Sequence, residues 1–205
     1  TASWRDRGQG FNFSMGALNT AVSADDFETD LFQRFERIED TPFDDTFVLN
    51  GGFTSDDSNF FSLRLSSGDD SVTNNGVNVR LDYLKFGLAG ISVDLGAGTA
   101  SSVGGGDAAN IGNDTFSGIH RIRATEFADV LIGSDSGTTF EEFFGEAGND
   151  SIDGVGGTNN AIRYSTSPNG VTVNMATGVA LDGFGGTDTF ANIQHIQASS
   201  HNDTL

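Results

Sequence analysis

The chain has 205 residues, with 29 acidic side chains against 10 basic ones and a formal net charge of −19. That balance argues against holding a polyanion such as nucleic acid on a basic surface. The absence of cysteine rules out a disulfide framework, a thiol nucleophile and a cysteine-ligated zinc.

Aspartate outnumbers glutamate 22 to 7, and 28 glycines accompany two prolines and the single lysine Lys85. Long helices draw on Glu, Lys and Ala, so this composition points to a turn-rich β chain. Hydrophobic residues make up 36%, including 18 phenylalanines, which is enough to build a core. No apolar run is long enough to span a bilayer, and TASWRDRGQG is not a signal peptide. The lack of an initiator Met predicts a processed chain or an excerpt.

Taken in order, the chain repeats itself. The block GFNFSMGALNTA (10–21) returns as GISVDLGAGTA (90–100) and GVTVNMATGVA (170–180). Its apolar residues alternate, as in Ile91, Val93 and Leu95, which predicts strands. The next block, ETDLFQRFERIEDTPFDDTF (28–47), returns as 112–131 and 186–205. Asp30, Asp114 and Asp188 are each followed at fixed spacing by Phe32, Phe116 and Phe190, by Phe35, Ile119 and Ile193, by Ile38, Ile122 and Ile196, and by Asp45, Asp129 and Asp203. DLFQRFERIED alone reads as an amphipathic helix, but its sister copies carry Gly, Ser, Asn and β-branched residues, so a strand fits all three. A third block, SSGDDSV (66–72), returns as EAGNDSI (146–152).

The chain is therefore about two and a half units of roughly 80 residues: a partial unit over 1–47, a full one over 48–131, and a third over 132–205. Differences concentrate in insertions such as SSVGGGDAANIG (101–112), which belong in surface loops. The economical fold is all-β, a right-handed parallel β-solenoid (β-roll or β-helix) forming one continuous rod. At about 4.8 Å per coil and about four coils per unit, the rod grows by about 20 Å per unit.

GEAGNDSID (145–153) resembles the nonapeptide Gly-Gly-x-Gly-x-Asp-x-U-x of RTX, or haemolysin-type, calcium-binding repeats, with Glu146 in place of the second Gly. LSSGDDSVT (65–73) keeps the Gly-x-Asp-x-U half. The flanking Tyr164-Ser165, GVTVNMATG, GGTDTF and Ile-x-x-Ile elements are similar to the long repeats of large secreted bacterial surface proteins and adhesins. The resemblance implies bound Ca²⁺, with Asp129, Gly148, Asn149 and Asp150 in one group and Asp45, Gly68, Asp69 and Asp70 in the other.

Calcium takes six to eight hard oxygens, and one turn supplies about half of them. Two aspartate turns one coil apart would complete the shell, as Asp129 with Asp150 or Asp45 with Asp70. The alternative for each aspartate is to accept backbone N–H groups in an Asx-turn. For Asp30, Asp114 and Asp188 turn-capping is the preferred role.

His120, His195 and His201 occupy non-equivalent repeat positions, and no hydrolase, zinc-protease or phosphate-loop motif is present. The acidic pairs Asp25-Asp26, Asp56-Asp57 and Glu141-Glu142 are the residues from which a glycosidase or lyase site on a β-helix face would be built. Solvated charge is the commoner use of such pairs. The function expected is non-catalytic: a calcium-binding structural or adhesive rod segment, or filament, at the bacterial cell surface. The alternative is a calcium-dependent accessory module of an extracellular polysaccharide-active enzyme or protease. Expected partners are calcium ions, further copies by end-to-end or lateral association, and a cell-surface glycan.

Overall fold

The structure is a computed structural model. It describes residues 37–50, 61–135 and 137–205 in full, and the backbone of four short strands before residue 37. The pairs Asp25-Asp26 and Asp56-Asp57, and the phenylalanines at 32 and 35, lie outside the described residues.

The protein is all-β, with no helix among the described residues. One sheet has eight strands: β1 (Ala2–Ser3), β5 (Arg37–Glu39), β7 (Phe61–Arg64), β9 (Val79–Asp82), β13 (Arg121–Arg123), β15 (Glu141–Phe144), β17 (Asn160–Arg163) and β21 (His195–Gln197). Their spatial order is their order in the chain, and every neighbouring pair is parallel.

The second sheet has thirteen strands. It contains β6 (Thr46–Asn50), β8 (Ser71–Asn75), β14 (Val130–Ile132) and β16 (Ser151–Asp153). It also contains three antiparallel triplets: β2 (Asn12–Met15), β3 (Thr20–Ser23) and β4 (Thr29–Leu31); β10 (Ile91–Asp94), β11 (Thr99–Ser102) and β12 (Asp114–Ser117); and β18 (Thr172–Asn174), β19 (Val179–Leu181) and β20 (Thr187–Ala191).

Outside the triplets, consecutive strands alternate between the two sheets. Each parallel partner therefore lies a full circuit away, as in β6 with β8 and β14 with β16. The triplets open at residues 12, 91 and 172, so they mark the repeat. Each folds back on itself: β10 pairs forward with β14, whereas β12 pairs backward with β8. Asp114-Thr-Phe116 and Asp188-Thr-Phe190 lie in strands β12 and β20, and Asp30 lies in β4.

Alternation directs every second side chain inward. Ile38, Leu63, Leu81, Ile122, Phe143 and Ile162 stand opposite one another along the eight-stranded sheet. Phe47, Val72 and Phe116 form a facing column, as do Val93, Leu131 and Ile152. All are buried in one apolar cluster. At about 1.5–3 kcal/mol for each large side chain buried, these columns are the main adhesive of the fold.

Candidate metal centre

Asp45 of the second block and Asp70 of the third sit at the corners where the chain enters the thirteen-stranded sheet, just before β6 and β8. Asp45 closes the turn before β6: its Oδ2 accepts the Thr41 N–H at 2.8 Å, and the Thr41 hydroxyl donates to the same carboxylate. The N–H of Asp45 in turn donates to Oδ1 of Asp70, one circuit on, at 2.9 Å. The Asp70 N–H donates to Oδ1 of Asp114 at 3.0 Å, and the Tyr83 hydroxyl donates to Oδ2 of Asp114 at 2.8 Å.

The next unit repeats this chain of contacts. The Thr125 N–H donates to Asp129, the Asp129 N–H donates to Asp150, the Asp150 N–H donates to Asp188, and the Tyr164 hydroxyl donates to Asp188. Both expected pairs, 21 and 25 residues apart, are thus neighbours, and every aspartate in them caps backbone N–H groups. Asp114 and Asp188 accept backbone N–H groups as expected, but from Asp70 and Asp150, 44 and 38 residues away, rather than within their own turns. For Asp30 only the backbone is described.

Capping consumes one carboxylate oxygen and leaves the other. Oδ2 of Asp70 and Oδ2 of Asp150 are buried with no hydrogen-bond donor. Around Asp70 there is more. Asp40, Asp45 and Asp70, all buried, bring carboxylate oxygens within 4.8 Å of one another. Ser66 anchors Asp40 through its N–H and its hydroxyl, each at 2.6 Å. In the second unit Ala124 stands at the position of Asp40. There Oδ1 of Asp129 also accepts the Ile91 N–H at 2.7 Å.

The other residues expected at metal sites have different positions. Gly68 and Gly148 hold φ of +124° and +140° and pass within van der Waals range of Phe43 and Phe127 in the preceding corner. Asp69 and Asn149 lie on the outer side, where they accept the N–H groups of Asn113 and Thr187. Glu146, at the place of the nonapeptide's second glycine, keeps the positive φ of that position, +68°.

All six described arginines lie on strands of the opposite sheet, and their ion pairs are made with Glu39, Asp82, Glu142 and Glu146 rather than with Asp40, Asp70, Asp129, Asp150 or Asp188. Burial therefore dominates the titration of the latter acids and raises it. Asp70 is pushed up to about 11 by burial, then by Asp114 and Asp40, and Asp40 rises to about 7 mainly by burial. In the second unit burial lifts Asp150 to about 9, Asp129 to about 7 and Asp188 to about 6. A carboxylate in such surroundings takes a proton or a cation.

Two acids escaped the sequence reading. Asp40 occurs in one unit only, so comparing units hides it. Asp182 is fully buried; its Oδ1 accepts the N–H groups of Phe184, Gly185 and Gly186, and its Oδ2 has no donor. The run Asp-Gly-x-Gly-Gly is the turn signal that would have found it. The pair Glu141-Glu142 is divided between the faces of β15: Glu141 accepts from Ser134, while Glu142 meets Arg121 at 2.8 Å.

No protein-family profile matches the chain, and no curated protein sequence resembles it significantly.

Proposed function

We propose that the chain is a non-catalytic, calcium-stiffened segment of a right-handed parallel β-solenoid, serving as a structural or adhesive rod in a secreted bacterial surface protein. One observation carries this reading: three buried carboxylates converge at Asp40, Asp45 and Asp70, and Oδ2 of Asp70 is buried there without a hydrogen-bond donor.

The donor set suits a hard divalent cation. Calcium prefers carboxylate and carbonyl oxygen and tolerates irregular shells, whereas magnesium demands near-octahedral geometry and retains its waters. Asp40, Asp45 and Asp70 would hold the ion, and backbone carbonyls and water would complete the six to eight ligands. Its positive charge would replace the protons that these carboxylates otherwise retain. Sequential circuits joined through their corners would then resist bending and proteolysis together.

The test is isothermal titration of the EGTA-treated protein with CaCl₂ and with MgCl₂ at pH 7.5, followed by thermal melts. Saturable calcium binding with a higher melting temperature is expected, and Asp40→Ala should remove it. Superposed melts with Ca²⁺ and EGTA would overturn the reading.

A further inference from the structure

All six described arginines lie on strands of one sheet, and four of them gather around a cavity. Glu39, Arg64, Asp82, Arg123 and Phe144 stand opposite one another on successive strands, and Arg121 stands opposite Glu142. Near the last strands of this face a cavity of about 430 Å³ opens to solvent. Four guanidinium groups line it, those of Arg80, Arg121, Arg123 and Arg163, against a single carboxylate, Glu142. Ser165, Thr166 and Gln197 complete the polar part of its wall.

The arginines are held in place rather than waving in solvent. Arg121 and Arg163 both pair with Glu142, and both guanidinium groups lie over the Phe140 ring, at 5.5 and 5.9 Å from its centre. Arg123 donates to Glu146 at 2.7 Å, and Arg80 lies over Phe144 at 5.0 Å. Behind the wall Asp82 pairs with Arg80, Arg123 and also Arg64, and Glu146 pairs with Arg123. Crowding shows at Arg80: burial draws its titration down to about 10, and neighbouring Arg123 works in the same direction.

We propose that this cavity binds a carboxylated sugar, one uronate unit of an acidic polysaccharide. A carboxylate suits the forked donors of the four arginines that line the cavity. The two hydroxyls and the amide on the wall match a ligand rich in hydroxyl groups, and the volume falls in the range of ordinary small-ligand clefts. The net charge of −19 still repels a dense polyanion, which selects a glycan whose charged units are separated by neutral ones. This assignment stands apart from the cation reading, because the cavity lies on the opposite sheet from the aspartate corners.

The experiment titrates the intact chain, at fixed CaCl₂ and 0.15 M NaCl, with a tetrasaccharide of alternating glucuronate and N-acetylglucosamine. Binding is followed by calorimetry and by amide shifts. The carboxyl-reduced tetrasaccharide, sodium sulfate and poly-glutamate serve as comparators. Saturable binding of the uronate form alone is expected. Arg163→Gln and the milder Thr166→Val should each weaken it at least tenfold with unchanged melting temperatures, whereas Lys85→Gln, outside the cavity, should leave it unaltered. Equal binding of the reduced sugar, preference for poly-glutamate or sulfate, or no binding at all would overturn the assignment. So would a concentration-dependent dimer abolished by Arg163→Gln, because the cavity would then receive an acidic segment of a second copy.

Discussion

Asp70 accepts the backbone N–H of Asp45 through Oδ1 at 2.9 Å, its Oδ2 is buried without a donor, and its carboxylate lies within 4.8 Å of those of Asp40 and Asp45. One oxygen therefore fastens two successive corners of the chain, and the other bears the electrostatic cost. Asp70→Asn separates the two roles, since an amide oxygen still accepts from Asp45 while the charge is gone. In EGTA at pH 8 the variant should melt several degrees above the parent, and it should lose the calcium-induced rise. Differential scanning calorimetry with Ca²⁺ and with EGTA decides it; a calcium shift of parental size would remove Asp70 from the site.

The acids predict an inverted pH dependence for the cation-free protein. Asp40 and Asp129 are raised to about 7, Asp188 to about 6 and Asp150 to about 9, all by burial first. The folded state therefore holds protons that the unfolded chain, near the ordinary value of about 3.9, has already released. Where the native state binds more protons, stability falls as pH rises. In EGTA the free energy of unfolding should drop steadily from pH 5 to pH 9. With saturating CaCl₂ the slope should flatten, and binding at pH 7 should release protons, seen as a buffer-dependent enthalpy. A calcium-free profile that rises with pH would mean that these carboxylates are already compensated.

The two tyrosines close the same network. Tyr83 donates to Asp114 and Tyr164 to Asp188, from equivalent places in the two units. Removing either hydroxyl leaves a buried carboxylate oxygen without its donor, a change worth about 1–3 kcal/mol. Tyr83→Phe and Tyr164→Phe should each be destabilised by that order in urea unfolding. For Tyr164→Phe, whose partner Asp188 is raised to about 6 mainly by burial, the loss should be greater at pH 8 than at pH 5, where a protonated carboxyl needs the donor less. A loss independent of pH would assign the effect to packing.

The strands were legible because alternation and repetition agree. A period of two in Ile91, Val93 and Leu95 names a strand, and the sister copies of Asp114-Thr-Phe116 overrule a helical reading of any one copy. The pairing of the triplets was not legible. That β10 reaches forward while β12 reaches back is decided by which corners stack, and no local pattern encodes it. The partnership of Asp45 with Asp70 followed from the repeat, whereas Asp40 broke the repeat and stayed hidden. The arginines were hidden for another reason: Arg80, Arg121 and Arg163 are scattered along the chain, and only the register of the parallel sheet gathers them.

Gly148 offers the sharpest test of stacked corners. Its φ of +140° disfavours a side chain, and a Cβ placed there would lie 2.4 Å from the carbonyl oxygen of Phe127. Phe127 belongs to the preceding corner, just before Asp129, so the intrusion would force apart two successive corners and with them the contact from Asp129 to Asp150. Gly104 supplies the comparison: its φ is +79°, yet nothing lies within 4 Å of the same imaginary atom. Backbone strain alone costs about 1–2 kcal/mol for a left-handed residue. Gly104→Ala should lose about that much, while Gly148→Ala should lose at least about twice as much, because close-packed backbone yields poorly to an added methyl. Urea unfolding of the two variants beside the parent measures both. Equal losses would show that Gly148 serves its own turn only and that the corners are not pressed together.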